Sequence, residues 1–210
     1  RAGRGGRTMT IIHERIAEWV KTGVPLPYAE LTALGYEGRR WRDDYEARYA
    51  ERDAMIREFG FSIPCLEAIQ AVASLSPLVE IGAGTGYWSA ILAAHGADIV
   101  ATDPNDGLYA FKVASVAPVA LVRADAAVRA YPDRNVLCSW PSYNEEWCAE
   151  AVTKIRPGNR FALVGENEGG CTGTDKLFKV LRRSFVEEAR IALPQFYGLH
   201  DELTIWKRKG

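Results

Sequence analysis

The sequence predicts an α/β fold: a seven-stranded sheet, mostly parallel with an antiparallel last strand, helices on both faces, and an N-terminal helical cap. Three observations carry this. From residue 77 onward, short apolar or β-branched runs alternate with segments of helical length. The stretch 78–105, LVEIGAGTGYWSAILAAHGADIVATDPN, reads as strand, glycine turn, helix and second strand in one piece. The last two apolar runs, 186–193 and 203–207, are joined by only a turn, 194–201, so they pair as antiparallel neighbours.

Residues 1–8, RAGRGGRT, lie ahead of Met9 and carry no apolar stretch, so they are expected to be a disordered arm or an added remnant rather than a signal peptide. Residues 9–60 are expected to form the cap. Ile11, Ile12, Ile16, Trp19 and Val20 have helical spacing; Gly23 ends that helix, and Pro25 and Pro27 bar its continuation. A charged helix over 37–58 carries Trp41, Tyr45, Tyr49 and Met55, aromatic and apolar groups suited to packing on the core or roofing a pocket. The core is expected over 61–210. Ser62 and Pro64 start a helix over 64–75. Strands follow at 77–81, 98–102, 119–122, 135–138 and 160–165, with helices over 85–95, 144–155 and 174–185. The loop 169–173, GGCTG, is a lid or a long turn.

The glycine turn is the most informative element. Glu80 closes an apolar run, Gly82, Gly84 and Gly86 alternate after it, and a second run delivers Asp103 at its end. Glycine tolerates positive φ and has no Cβ, so such a turn can bring its amides against a ligand. A carboxylate at the end of the second strand is placed to take two ribose hydroxyls. The pocket is therefore nucleoside-shaped. A dinucleotide would require Gly-x-Gly-x-x-Gly, and the sixth position here is Tyr87, which argues against a nicotinamide oxidoreductase.

The pattern Glu80-x-Gly82-x-Gly84-x-Gly86 resembles motif I of the class I S-adenosylmethionine-dependent methyltransferases, enzymes with a Rossmann-like sheet. Asp103 after the second strand and Asp125 after the third fall in the order that family uses, and the likeness covers residues 77–164. It implies S-adenosylmethionine as cofactor and S-adenosylhomocysteine as product. The glycine loop would pack on the methionine part, Asp103 would bind the ribose and Asp125 would face the adenine. The implied cofactor set is Glu80, Gly82, Ala83, Gly84, Gly86, Trp88, Asp103, Asp125, Ala126 and Ser139. Asp125 would equally serve as a helix cap. The turn Phe59-Gly60-Phe61-Ser62-Ile63-Pro64 resembles motif X of amino-group methyltransferases acting on nucleic acids, which closes over the methionine end of the cofactor.

After the fourth strand comes Ser139-Trp140-Pro141-Ser142-Tyr143, at the sheet edge where an acceptor would meet the methyl donor. This resembles a divergent Asp/Asn-Pro-Pro-Tyr motif, with Pro141 and Tyr143 at matching positions. Trp140 replaces the carboxylate or carboxamide and Ser142 the second proline, so Ser139 or Ser142 would have to accept the amine hydrogen bond. Trp140 and Tyr143 can stack on a flat ring or hold a cation. Candidate bases are Glu166, Asn167 and Glu168 after the fifth strand, and His200 with Asp201 near the last turn. Trp140, Pro141, Tyr143 and His200 are the expected acceptor-side residues. The expected acceptor is a small aromatic or amine-bearing metabolite, with an exocyclic amine of a nucleobase in nucleic acid as alternative. A non-catalytic cofactor-binding subunit is the third reading.

Composition narrows the remaining classes. At 210 residues and 48% hydrophobic content the chain can bury one α/β core. No apolar run is long enough for a membrane span. Cys65, Cys138, Cys148 and Cys171 form no Cys-x-x-Cys pair, so neither a metal site nor a disulfide framework is expected, and a reducing, cytoplasmic setting is. Residues 61–175 hold 7 basic and 13 acidic side chains, and residues 176–210 hold 8 and 4. An acidic middle suits a cationic cofactor, and no dense basic stripe marks a phosphate-backbone partner.

Overall fold

Leu78–Ile81 forms the central strand, β1, and all of its residues are buried because helices cover both faces of the sheet. The structure, a computed structural model, describes residues 11–38, 45–105 and 115–210. The arm 1–8, Met9 and Trp41 lie outside the described residues.

The helices before β1 are α1 (Ile11–Thr22), α2 (Tyr28–Ala33), α3 (Tyr45–Glu58) and α4 (Leu66–Ala73). After it come α5 (Tyr87–Ala94), β2 (Ile99–Thr102), β3 (Val119–Ala120), α6 (Ala124–Ala130), β4 (Asn135–Ser139) and α7 (Trp147–Val152). The chain continues with β5 (Arg160–Gly165), α8 (Asp175–Ser184), β6 (Phe185–Ala192) and β7 (Glu202–Arg208). The sheet order is β3-β2-β1-β4-β5-β7-β6. Every pairing from β3 to β5 is parallel, and β7 runs antiparallel to both β5 and β6. This is the Rossmann-like, seven-stranded arrangement that the sequence predicts.

Alternation along the strands sorts the core into two layers. Leu78, Ala162 and Val164 face a layer with Ile69, Trp88, Ile91 and Leu92, to which α1 adds Ile12, Ile16 and Trp19. Val79, Ile81, Phe161 and Leu163 face the other layer, built with Ala127 and Val128 of α6, Val152 of α7 and Leu177 and Leu181 of α8. Cys138 and Cys148 meet in this second layer with their sulfurs 3.8 Å apart, and burial pushes the Cys138 thiol well above its ordinary pKa. Among the described residues no helix is long and apolar enough to cross a membrane.

Gly23 ends α1 at φ +68°, its amide donating to the Trp19 carbonyl at 2.8 Å. The sequence reading missed α2. It took the two prolines as breakers, whereas Pro27 sits at the helix start, where its fixed φ and missing N–H cost nothing. Glu51 ties the cap together. It is 3% exposed and accepts from the Ile12 amide at 2.8 Å and the Tyr36 hydroxyl at 2.7 Å. The Tyr36 carbonyl in turn accepts from the Gln195 amide, joining the cap to the β6–β7 connection. Glu51→Ala leaves buried donors without their acceptor, and chemical denaturation is expected to show a loss of about 2–3 kcal/mol. A loss within experimental error would mean that the cap holds without this carboxylate.

Candidate functional site

The carboxyl ends of β1, β2 and β4 open into one cavity of about 440 Å³. That volume suits a small-molecule ligand, and the position, where strand order reverses about β1, is the usual one for open α/β sheets. Parallel registers that set Ile81 beside Thr102 and Glu80 beside Leu137 bring the ends of β1, β2 and β4 side by side.

Gly82, Gly84 and Gly86 take φ values of +64°, +56° and +79°, the left-handed region that favours glycine. The turn is pinned by the Ala83 amide donating to the Thr102 carbonyl at 3.0 Å and the Gly84 amide donating to Asp103 Oδ2 at 2.9 Å. A Cβ on Gly82 would run into the Trp147 ring of α7, so that indole closes the turn from outside. Asp103 Oδ1 accepts from the Asn105 amide at 2.6 Å. Each carboxylate oxygen thus keeps an acceptor position for a ligand hydroxyl.

Asp125 lines the same cavity from the first turn of α6, where it pairs with Arg129 at 2.5 Å. The residue at the helix N-cap is Arg123, so the capping alternative for Asp125 does not apply. Glu80, 1% exposed, lines the cavity floor and accepts from the Ser89 amide and hydroxyl. Burial pushes its pKa up to about 8, with the nearby Asp103 adding to the rise and the Ser89 bonds opposing it.

On the other side stand Ser139, Trp140, Pro141, Ser142 and Tyr143, all lining the cavity. Trp140 holds φ +55°, unusual for a bulky residue. Three contacts hold it there. Its amide donates to the Val164 carbonyl at 2.8 Å, its indole N–H donates to Asp201 Oδ1 at 3.0 Å, and its ring stacks on Phe61 at 5.2 Å and 12°. Asp201 is buried, and desolvation pushes its pKa up to about 8 against the Trp140 bond. Tyr143, 54% exposed, stands at the rim.

Several expected residues lie off this cavity. Trp88 is fully buried because the α5 turn directs it into the core layer beneath. Gly86 is the N-cap of α5, close against Val119. Ala126 sits on the exposed side of α6. His200 extends into solvent with 77% of its side chain exposed, beside Glu166. The carboxylate of Glu166 is buried and accepts from the backbone amides of Cys171 at 2.6 Å and His200 at 3.0 Å, so it holds loops rather than facing the cavity. Asn167 is exposed and accepts from the Glu168 amide, and Glu168 pairs with Arg182. Glu166 also organises the glycine-rich loop, whose Gly173 amide donates to the Pro141 carbonyl at 2.9 Å and whose Thr172 hydroxyl donates to the Glu166 carbonyl. That loop is a tied turn.

The sequence reading did not assign Trp147, Arg123, Cys171 or Glu150 to the cavity they line. Trp147 was visible only as one aromatic in a helix. Tyr49, 55% exposed, and the buried Met55 do not line it; Phe59, Gly60 and Phe61 of the following turn do. Among the described residues no group of His, Cys, Asp or Glu is arranged to hold a metal ion.

No family model and no curated protein matches the chain. Among solved structures it is similar to an rRNA methylase from Streptococcus thermophilus, at 17% identity over 69% of this chain and 96% of that one, with a TM-score of 0.43. It is also similar to precorrin-6y C5,15-methyltransferase from Geobacter metallireducens, at 16% identity over 70% and 90%, with a TM-score of 0.44. A third is the 1,6-didemethyltoxoflavin-N1-methyltransferase of Burkholderia thailandensis, solved with 1,6-didemethyltoxoflavin and S-adenosylhomocysteine, at 14% identity over 100% and 93%, with a TM-score of 0.42.

Proposed function

We propose that this chain is an S-adenosylmethionine-dependent methyltransferase acting on a small aromatic or amine-bearing acceptor. The observation that carries the reading is the juxtaposition, in one cavity, of the positive-φ Gly82–Gly84 turn, the Asp103 carboxylate and Asp125, in the order β1, β2, β3. The residues present fit the cofactor. Asp103 retains acceptor positions for a ribose diol, Asp125 lines the cavity where the adenine end would lie, and the glycine turn, covered by Trp147, admits a close ligand backbone. The cofactor supplies an already activated methyl group, so the protein's share is positioning and exclusion of water.

The acceptor wall fits that share. Phe61 and Trp140 present stacked aromatic surface, fixed by Asp201, and Tyr143 adds a ring at the rim. Ser142 lines the same wall and accepts from the Trp147 indole at 3.3 Å. Against a nucleic-acid acceptor, Arg123 is the one basic side chain lining the cavity among the described residues, beside Asp103, Asp125, Glu145 and Glu150.

Calorimetry with S-adenosylmethionine, S-adenosylhomocysteine and NAD tests the donor. Binding of both adenosyl compounds and not NAD is expected, and binding of NAD alone would sink the reading. Turnover of S-adenosylmethionine with a panel of small aromatic amines, against single- and double-stranded oligonucleotides, tests the acceptor. Activity confined to the oligonucleotides would overturn the small-molecule assignment, and tight cofactor binding with no turnover on any acceptor would favour a non-catalytic subunit.

A further inference from the structure

We infer that the acceptor has two parts: a flat ring held in the cavity described above, and an uncharged, hydroxyl-bearing tail, a glycosyl or polyol group, that crosses Tyr143 into a second cavity beside α8. This deepens the methyltransferase reading of the first cavity and rests on it. The second cavity encloses about 550 Å³ and is lined by Asn144, the glycine-rich loop and the first turns of α8.

Two segments make the wall between the cavities, and neighbouring residues of each face opposite sides. Tyr143 lines both cavities, Glu145 lines the first and Glu146 the second. In the glycine-rich loop Cys171 lines the first, while Gly170 and Thr172 on either side of it line the second. Hydrogen bonds join the two segments: the Asn144 amide donates to the Gly173 carbonyl at 3.1 Å, and the Gly173 amide to the Pro141 carbonyl at 2.9 Å. Gly173 takes φ +63°, and a Cβ there would come within 2.8 Å of Leu177 Cδ2, so the loop is seated directly on α8. Asn144 holds φ +59°, which turns the chain immediately after Tyr143 and leaves that ring on the crest of the wall, more than half exposed. A ligand that stacks in the first cavity and extends past this crest enters the second.

The lining of the second cavity indicates what the extension carries. Its charged side chains are Lys176, Lys179, Glu146 and Asp175, two of each sign. Lys176 pairs with Glu146 at 2.5 Å. Lys179 and Asp175, one turn apart on α8, make no ion pair among the described residues, and so leave one donor group and one acceptor group. A charged tail of either sign would meet as many repelling as attracting groups. A hydroxyl can donate to Asp175 and accept from Lys179, and the Asn144 carboxamide offers both kinds of group. The exposed Tyr143 ring adds an apolar face with a polar edge, suited to the face of a sugar ring.

The probes are para-aminophenol and para-aminophenyl β-glucoside, which share the ring and the amine and differ by the sugar, with para-aminophenyl phosphate as the charged-tail counterpart. Each is titrated by calorimetry into the chain saturated with S-adenosylhomocysteine. The glucoside is expected to bind about tenfold more tightly than para-aminophenol, the gain from one or two net hydrogen bonds, and more tightly than the phosphate. Lys179→Ala is expected to cut that advantage to about threefold or less, and because the side chain is exposed its removal opens no core. Retained affinity for S-adenosylhomocysteine reports that the variant is folded. A glucoside that binds no more tightly than para-aminophenol, with the absence of binding by both included, would overturn the inference. So would an advantage undiminished in Lys179→Ala, or a phosphate that binds tightest of the three. A wild-type chain that does not bind S-adenosylhomocysteine would instead overturn the reading of the first cavity.

Discussion

Asp103→Ala is expected to bind S-adenosylhomocysteine about 100-fold more weakly than the wild-type chain, as measured by calorimetry. Two ligand hydroxyls lose a charged acceptor, and hydrogen bonds to charged groups are worth about 1.5–3 kcal/mol each. The same carboxylate accepts from the Gly84 and Asn105 amides, so its loss also frees the turn and the segment after β2. Asp103→Asn separates the two effects. It keeps one carbonyl oxygen for an amide but places an NH₂ where the other amide or a hydroxyl would donate, and an intermediate affinity is expected. If Asp103→Ala bound the ligand as tightly as the wild type, the ribose would lie elsewhere.

The second large effect is on stability. Glu80 titrates near pH 8 in the fold and near its ordinary 4.5 when unfolded, so between these values the folded chain holds a proton that the unfolded chain has lost. Stability from this group is complete below about pH 4.5 and is lost as pH rises through 8, at up to about 1.4 kcal/mol per pH unit. Asp201, raised from 3.8 to about 8, acts in the same direction over the same window. Glu80→Gln keeps an acceptor for the Ser89 amide and hydroxyl without the ionisation. Relative to wild type it is expected to gain stability steadily from pH 5 to pH 8, measured from urea midpoints. Parallel curves for the two proteins would show that Glu80 is ionised in the fold. If S-adenosylmethionine binds above this floor, its cationic sulfur favours the charged form, and its affinity is expected to rise with pH more steeply than that of S-adenosylhomocysteine.

Much of this was legible in the sequence because the signals are local. The glycine turn needs positive φ within five residues, and the acid after a strand is a matter of position in one βαβ unit. The 160–165 strand was readable to the residue, since it is buried on both faces and bounded by a turn at each end. What escaped depends on contacts between distant segments. Trp147 closes the turn at Gly82 across 65 residues of chain, as its clash with a Cβ there reveals. Trp140 is aimed by Asp201, 61 residues away. The outward turn of His200 follows from its neighbours: its backbone amide is held by Glu166 while its ring has no core to enter. Trp88 shows the complementary limit, because its position beside the motif suggested contact with the ligand while the phase of α5 sent it inward.

The reversal of β7 has a consequence for how the molecule assembles. β7 lies between β5 and β6 in the sheet, so β6 has no partner until the segment that follows it has threaded into place. The same reversal brings Glu202 beside Gly165, at the edge where the parallel strands end, and so delivers Asp201 under Trp140. Completion of the sheet and anchoring of the Trp140 ring therefore depend on the same strand. A chain nicked or shortened before residue 202 would retain the glycine turn and its acids, yet expose an open strand edge and leave the aromatic wall unanchored. Such a chain is expected to aggregate through that edge, and light scattering of a chain ending at residue 201 would show it.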